Sequence, residues 1–309
     1  MFDLTVVVPV YCAESTIGPM IEQLDSLRSN LNIEYVFVED GSIDNSYSTL
    51  CQAVSHSKLK AKLIRHSKNY GEHQSVLTAY RLATAPYIVN LDDDLQHPPA
   101  EAIRLYEYAK ANDLDVAYGI YEKKMHAQWR NLGSRFANLS INFLLGLPFT
   151  HKVSSFRCIS AFAAKQISSY DGPYPYIDSM LANTTQHFGY LKVTHHPRKS
   201  GQSNYSLVSL LRLWLNVCTI SSYAPLRLSS YIGILSFLIG LLLVFALLIQ
   251  YMIYGVDVSG WTSLILATVL IGSIQLLIIG LLGEYLGRVF MTISLKPQSC
   301  VRELKRLNY

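Results

Sequence analysis

Residues 87–99 read Y-I-V-N-L-D-D-D-L-Q-H-P-P, an apolar run that ends in three consecutive carboxylates, Asp92, Asp93 and Asp94. Adjacent carboxylates repel one another and resist burial, so a strand that ends this way favours a bound cation. Mg²⁺ takes few protein carboxylates and completes its shell with water and substrate phosphate oxygens. The stretch therefore predicts a metal-bound phosphate substrate. The alternative is an exposed acidic turn before a helix that the two prolines open.

The 120 residues around this stretch alternate between short apolar runs and helical segments. The runs predict strands at about 4–10, 35–38, 61–64, 87–91 and 115–119, with helices at about 15–30, 44–55, 72–84 and 99–111. This rhythm predicts an α/β, Rossmann-like domain with a mostly parallel sheet and helices on both faces. Ligands of such sheets bind beyond the carboxyl ends of the strands, where the polar motifs of this chain lie.

Hydrophobic residues make up 50% of the 309 residues, and the mean hydropathy is +0.21. The excess is concentrated in two uncharged stretches, one between Arg227 and Asp257 and one between Asp257 and Glu284. Each exceeds the roughly 20 apolar residues that cross a bilayer. They predict a transmembrane hairpin with helices at about 229–253 and 262–283. The alternative is a buried helical pair in a soluble core.

Basic residues flank the predicted hairpin on both sides, whereas its connecting loop has no Lys or Arg. The positive-inside rule then places both termini in the cytosol. The predicted organisation is a catalytic domain at 1–205, an interfacial amphipathic region at 206–227, the hairpin at 228–288 and a basic tail at 289–309. The basic flanks suit an anionic lipid surface. With a net charge of only +4 and no dense basic stripe, the chain does not look like a nucleic-acid protein.

Two further motifs follow predicted strands. In E-D-G-S-I-D, residues 39–44, the carboxylate of Asp40 could accept a nucleobase N–H, and Gly41 permits a tight turn beside a ligand. The alternative is a helix cap made by Ser42 or Asp44. Asn69, in K-N-Y-G at 68–71, could hold ribose or base, or could belong to a plain turn.

Taken in order, V-V-V-P-V-Y at 6–11, E-D-G-S-x-D at 39–44, K-N-Y-G at 68–71 and D-D-D-L-Q-H-P-P at 92–99 resemble the family-2 inverting glycosyltransferases. The resemblance is greatest to the polyprenyl-phosphate glycosyltransferases, which include dolichyl-phosphate mannose synthase and the bacterial undecaprenyl-phosphate enzymes. It covers the whole chain, because L-G-E-Y-L-G-R at 282–288 also resembles the second membrane helix of the bacterial members.

The resemblance implies a nucleotide-sugar transferase (GT-A) fold and assigns roles by position. Asp92 and Asp94 would be the D-x-D pair that contacts the sugar diphosphate and Mg²⁺ or Mn²⁺, while Asp93 has no assigned role. The remaining substrate contacts would come from two groups. The nucleoside would be held by Pro9, Tyr11, Asp40 and Asn69, and the sugar or phosphates by Gln96, Arg198 and Ser203. The alternative for the basic segment around Arg198 is a solvated surface turn.

One departure concerns the acceptor side. The bacterial relatives usually carry Gly-Asp-Phe-Arg where residues 154–157 read S-S-F-R, so the acidic residue often proposed as general base is Ser155 here. A lipid phosphate has a second pKa of about 6, so near neutral pH it needs little proton removal. Arg157 could hold that phosphate, or could form a structural ion pair. The predicted catalytic set is Asp94, Arg157 and Ser155.

These inferences converge on one hypothesis: transfer of one sugar to polyprenyl phosphate at the cytosolic face of the bacterial inner membrane, with inversion. The resemblance implies that the donor is a UDP-sugar. The resemblance implies a role in O-antigen or lipopolysaccharide-type glycan modification, and a tetramer. One alternative is a processive polysaccharide synthase, which would need more membrane helices and a Q-x-x-R-W motif that is absent here. The other is a non-catalytic, membrane-anchored scaffold that binds nucleotide-sugars.

Overall fold

The computed structural model describes residues 1–27, 29–120, 153–172, 175–194, 260–294 and 297–309, together with scattered positions between 231 and 253. The chain divides into two compact units. One comprises Met1–Leu211 and Lys296–Tyr309, and the other comprises Arg212–Leu295.

The described part of the first unit is an α/β domain with eight strands and six helices. The strands are β1 Leu4–Val10, β2 Ile33–Glu39, β3 Ala61–His66, β4 Tyr87–Asn90, β5 Val116–Ile120, β6 Arg157–Ser160, β7 Phe188–Lys192 and β8 Val301–Leu307. The helices are α1 Glu14–Asp25, α2 Ser46–Ser55, α3 Glu72–Leu82, α4 Pro99–Ala111, α5 Ala161–Ser168 and α6 Ile177–Thr184.

The strands form one sheet in the order β7-β5-β6-β4-β1-β2-β3-β8. The four central neighbours β4, β1, β2 and β3 are parallel, while β6 and β8 run antiparallel to their partners. The predicted mostly parallel sheet is therefore confirmed. Because β1 to β4 all end at one edge and the antiparallel β6 begins there, the residues after four strands and before a fifth share that edge.

Both faces of the sheet are covered, which explains the β-branched run of β1. Val6 and Val8 pack on the side of α1, α2 and α4, whereas Val7 packs on the side of α3, α5 and α6. A strand buried on both faces has no need for polar alternation. Helix α1 ends at Asp25, earlier than the predicted 30. The residues that follow favour turns, and the Ser29 hydroxyl accepts from the backbone N–H of Leu31 at 3.1 Å.

The C-terminal residues differ most from the sequence-based expectation. The predicted basic tail at 289–309 instead continues a helix to Ile293 and then forms β8, which pairs antiparallel with β3. Four of the seven residues of β8 are charged (V-R-E-L-K-R-L), as is common for a strand that protects a sheet edge. The chain therefore returns to the first unit after leaving it.

In the second unit, α7 spans Trp261–Ile293, well beyond the predicted 262–283. Within the described residues it is the one helix long and apolar enough to cross a membrane, over Ile274–Ile293 with a mean hydropathy of 1.7. The predicted first helix, 229–253, lies largely outside the described residues, although the positions described there are helical. The predicted amphipathic region at 206–227 lies wholly outside them. The hairpin therefore stays a prediction.

Candidate active site

Asp40 organises the loop that links β3 to α3, residues 67–71, hereafter the donor loop. Its carboxylate accepts the backbone N–H of Tyr70 at 3.0 Å and that of Gly71 at 2.7 Å. A third contact, at 2.7 Å, joins it to Nδ1 of His66, the last residue of β3. Asp40 is only 3% exposed, and these three contacts fix the position of its carboxylate. Asn69, the predicted ribose or base contact, lies in this loop with an exposed side chain.

Gly41 allows the loop after β2 to approach the donor loop. Its φ of +64° is a left-handed conformation, and a Cβ at this position would lie 2.4 Å from the carbonyl carbon of Lys68. Only glycine fits there without moving backbone. The sequence predicts a tight turn at Gly41. The structure adds a second requirement for glycine, the close contact between two backbone segments.

The same loop is tied to the segment that follows β1. The hydroxyl of Ser42 accepts the backbone N–H of Cys12 at 3.0 Å, and that of Ser46 accepts the N–H of Ala13 at 2.8 Å. Asp44 holds the Ser46 hydroxyl at 2.6 Å. The D-G-S-I-D motif therefore connects the three loops after β1, β2 and β3. Tyr11 lies exposed in the first of these loops, and Pro9 lies partly exposed near the end of β1.

Each carboxylate of the acidic strand end, Asp92–Asp94, has its own hydrogen-bond partner. Asp92 accepts the hydroxyl of Ser155 at 2.7 Å, because Ser155 lies two residues before the start of the antiparallel strand β6. Asp93 accepts the backbone N–H of Tyr11 at 3.2 Å, and Asp94 accepts that of Gln96 at 3.0 Å. The structure thus brings five predicted site residues to one edge of the sheet: Tyr11, Asp92, Asp94, Gln96 and Ser155. It also gives Asp93 a contact that the sequence did not reveal.

Two residues beside these contacts have positive φ although neither is glycine, Cys12 at 50° and Leu95 at 60°. Backbone strain of this kind costs of order 1 kcal/mol or more and persists where surrounding contacts enforce it. Here it lies in the loops after β1 and β4, on both sides of the contact between Tyr11 and Asp93. The contacts around these two loops hold the backbone in this conformation.

Burial raises the pKa of Asp92, and Asp94 raises it further, while the hydrogen bond from Ser155 and the charges of His97 and Arg157 oppose that shift. A cation between the two carboxylates would remove the cost of ionising both. Within the described residues, no group of three or more acidic, His or Cys side chains could hold a metal unaided. Two carboxylate ligands suit Mg²⁺ or Mn²⁺, provided that substrate phosphates and water supply the rest of the shell.

Arg157 lies beneath this edge and is only 1% exposed. Its guanidinium pairs with the carboxylate of Asp178 on α6, which also accepts the Tyr118 hydroxyl at 3.0 Å. Of the two sequence-based alternatives for Arg157, this placement favours the structural ion pair over a direct grip on the acceptor phosphate. Asp178 carries no motif, so the sequence did not identify it as the partner.

Glu72, the first residue of α3, is a further carboxyl that the sequence reasoning missed. It is accessible to water yet closely surrounded by protein, as expected for the wall of a concavity. Burial, together with the charges of Asp92, Asp178 and Asp93, raises its pKa to about 7, against a lowering by Arg157. An acidic residue in the first turn of a helix is usually a dipole contact, so its position alone gave no signal.

The neighbouring His73 fixes the start of α3 against the start of α6. Its ring meets the ring of Tyr176 edge-on at 5.2 Å. Burial lowers the pKa of His73 to about 4, so the ring is neutral at neutral pH. Arg198 and Ser203, the predicted phosphate contacts of the basic segment, lie outside the described residues.

The profile of the family described as "Glycosyl transferase family 2" matches residues 5–168, more than half of the chain. The chain therefore belongs to glycosyl transferase family 2 and is a glycosyltransferase. The matched residues include every described member of the predicted site.

Two similar proteins cover nearly the whole chain. The undecaprenyl-phosphate 4-deoxy-4-formamido-L-arabinose transferase of Pseudomonas paraeruginosa is 29% identical over 307 residues, which are 98% of this chain and 90% of that protein. The enzyme of the same name from Aeromonas hydrophila is 27% identical over 309 residues, 98% of this chain and 94% of that protein. The resemblance inferred from the motifs is thereby confirmed.

The fold is similar to that of glucosyl-3-phosphoglycerate synthase from Mycobacterium tuberculosis in complex with Mn²⁺, UDP and glucosyl-3-phosphoglycerate. The TM-score is 0.53 at 14% identity, over 71% of this chain and 78% of that one. At this identity the likeness concerns the fold alone, and it confirms the predicted GT-A architecture.

Proposed function

We propose that this glycosyltransferase moves one sugar from a nucleotide-sugar to polyprenyl phosphate at the cytosolic face of the bacterial inner membrane. The observation that carries the proposal is the acidic strand end, with Asp92, Asp93 and Asp94 tied to Ser155, Tyr11 and Gln96 at the carboxyl edge of a GT-A sheet. Support for the acceptor comes from relatives named as undecaprenyl-phosphate sugar transferases, which match 98% of the chain.

The donor would bind across the loops that the D-G-S-I-D motif connects. Pro9 lies near the end of β1, Tyr11 and Asn69 lie in the loops after β1 and β3, and the buried Asp40 holds the donor loop in shape. We assign the nucleobase, uracil by family resemblance, to this region. Because Asp40 already bonds the donor loop, we propose that it positions this loop in addition to any contact with the base.

The sugar diphosphate would lie over Asp92, Asp94 and Gln96, where the two carboxylates would hold Mg²⁺ or Mn²⁺. Held by these two carboxylates, a divalent ion would supply charge neutralisation for the departing nucleoside diphosphate. Ser155 keeps Asp92 in a fixed orientation through its 2.7 Å hydrogen bond. Arg198 and Ser203 are proposed to reach the donor or acceptor phosphate.

The acceptor phosphate would attack the anomeric carbon from the face opposite the leaving nucleotide, so that the configuration inverts. A phosphate monoester with a second pKa of about 6 is largely dianionic at neutral pH, and its attack then needs positioning more than proton removal. This explains how Ser155 can stand where relatives carry an acid. The product would be a polyprenyl-phosphate sugar for lipopolysaccharide-type glycan modification, with the enzyme proposed to be a tetramer.

The return of the chain to the sheet supports two membrane crossings. Because β8 pairs with β3, residues 1–120 and 297–309 lie on the same side of any membrane. If α7 crosses the bilayer over Ile274–Ile293, a second crossing must lie between residues 211 and 274. The uncharged stretch at 229–253 is the segment with the length for it.

Asp94→Asn tests the proposal in membranes supplied with radiolabelled nucleotide-sugars and undecaprenyl phosphate. We expect transfer to fall about 100-fold or more, the loss typical of removing one group that stabilises developing charge. Asp113→Asn is the matched control, since it makes the same change at an exposed turn with a φ of 50°, which asparagine tolerates.

Three results would contradict the proposal. Metal-dependent transfer by Asp94→Asn at the wild-type rate would remove the assigned role of the acidic strand end. A polymeric product would indicate a processive synthase, and no transfer or hydrolysis of any nucleotide-sugar by the wild type would indicate a scaffold.

A further inference from the structure

The C-terminal segment, residues 297–309 and hereafter the return segment, contacts the donor loop directly. The backbone N–H of Ser67 donates to the carbonyl of Cys300 at 2.9 Å. The side-chain amide of Gln74 donates to the hydroxyl of Ser299 at 3.2 Å. These contacts lie at either end of the segment 67–74, which contains the donor loop and the first turn of α3.

The opposite side of the donor loop is held by Asp40 through the N–H groups of Tyr70 and Gly71. His66 joins these two supports. Its Nδ1 lies 2.7 Å from Asp40, and its Nε2 lies 3.1 Å from the hydroxyl of Thr78, which donates to the carbonyl of Gln74 at 2.9 Å. A continuous chain of hydrogen bonds therefore runs from the return segment through α3 and β3 to the donor loop.

The pairing of β8 with β3 is irregular at His66, which belongs to this chain of hydrogen bonds. The register shifts between Arg65 and His66, so that His66 lies opposite Val301. Bulges of this kind re-aim a side chain and are frequent next to active sites. Here the residue at the irregularity is His66, which is 1% exposed and contacts Asp40.

We propose that Ser299 and Cys300 are positioning residues for the nucleotide site, holding the donor loop from outside while Asp40 holds it from inside. The proposal rests on the proposed function, since it assumes that the donor nucleotide binds against this loop. Gln74 is 3% exposed. If its side-chain amide lost the Ser299 hydroxyl, the buried and unpaired amide would destabilise the local structure around it.

The return segment follows the apolar helix closely in sequence. Only residues 295–298 separate Ser294, which caps α7, from Ser299. Under the proposal, the return segment supplies part of the nucleotide site that the N-terminal domain alone would lack.

Ser299→Ala in the full-length protein tests this inference, with Ser299→Thr as the conservative variant that keeps the hydroxyl. Ser294→Ala is the matched control, because its hydroxyl donates to the carbonyl of Met291 in its own helix at 3.0 Å. We expect Ser299→Ala to raise the Kd for UDP and the donor KM about threefold to tenfold, the effect of one hydrogen bond. The kcat and the acceptor KM should change less than twofold, and Ser299→Thr should restore donor affinity.

Amide hydrogen exchange gives a second readout. Exchange in peptides covering residues 67–74 should rise in Ser299→Ala, while exchange in β1 stays unchanged. Wild-type UDP affinity and unchanged exchange in Ser299→Ala would overturn the inference, as would a uniform rise in exchange across the sheet. A wild-type protein that neither binds UDP nor transfers sugar would instead refute the proposed function.

Discussion

Three adjacent aspartates with the same chemistry hold three different positions at the end of β4. Asp92 faces the start of β6 and accepts from Ser155, Asp93 faces the loop after β1, and Asp94 closes the turn that leads to Gln96. The three residues follow β4, which ends at Asn90, and the chain turns there, so each side chain meets a different segment. Asp93 holds the loop after β1 against the strand end, which gives this carboxylate a structural role.

Glu72 is expected to destabilise the metal-free protein increasingly as the pH rises. Its folded pKa of about 7 lies above the ordinary value of 4.5, so the neutral form is favoured in the folded state. The resulting cost is absent below about pH 4.5, grows as the pH rises toward 7 and stays constant above it. Because the side chain is accessible to water, screening limits the effect to about 1 kcal/mol or less.

Thermal unfolding of Glu72→Gln, in detergent with a chelator, checks this prediction. The gain in Tm over the wild type should be larger at pH 8 than at pH 5. Glu101→Gln is the control, since Glu101 also lies in the first turn of a helix, α4, and forms a surface pair with Arg104 at 3.2 Å. Equal gains for Glu72→Gln at the two pH values would show that its pKa is not raised.

The structure places the D-x-D pair and the D-G-S-I-D motif at one edge of the sheet. Both motifs stood out in the sequence because carboxylates that follow apolar runs favour a bound cation or ligand. Asp178 and Glu72 did not, because their roles come from neighbours distant in sequence. Arg157 lies 21 residues from the Asp178 that pairs with it, and Asp92 lies 20 residues beyond Glu72.

Among the elements, β8 shows why the sheet could be only partly predicted. β1 to β4 were evident from β-branched runs buried on both faces, but β8 has four charged residues in seven and exposed side chains on both faces. It forms a strand because it pairs with the edge of β3, which lies more than 230 residues earlier in the sequence. No local sequence pattern reveals this pairing. The order of β5, β6 and β7 likewise depends on long-range pairing.

Asn308→Ala is expected to loosen the end of β8 from the first unit. The side-chain amide of Asn308 donates to the carbonyls of Val54, Ser57 and Leu59 at 3.3, 3.0 and 3.1 Å, in the last turn of α2 and the segment that follows it. Loss of these bonds should cost about 1–2 kcal/mol, or a few degrees of Tm in a domain of this size. Arg302→Ala, on an exposed position of the same strand, should leave Tm within one degree or so.

The same variant separates two tasks of the return segment. Asn308 lies at the far end of β8 from Ser299, so Asn308→Ala should lower Tm without changing donor KM. Ser299→Ala should do the reverse. A drop in donor affinity in Asn308→Ala equal to that in Ser299→Ala would mean that the whole strand, rather than the residues beside the donor loop, sets nucleotide binding.

For the whole molecule, the pairing of β8 with β3 constrains how the chain can meet a membrane. The two strands belong to one sheet, so the number of crossings between them is even. Along α7, the described apolar side chains are largely exposed, including Leu276 at 72% and Ile293 at 71%. So much exposed apolar surface on one helix is costly in water and suits contact with lipid or protein.

We therefore expect the predicted loop at 255–260 to lie on the opposite side of the membrane from both termini. A cysteine introduced by Ser259→Cys should react with a membrane-impermeant thiol reagent in intact cells. Ser48→Cys, on the exposed face of α2, should react only after the cells are opened, as should native Cys12. If Ser259→Cys is protected in intact cells while Ser48→Cys is labelled, the domain faces outward. If all three positions react only in opened cells, α7 does not span the bilayer, and its apolar surface must be covered by other copies of the chain or lie along the membrane face.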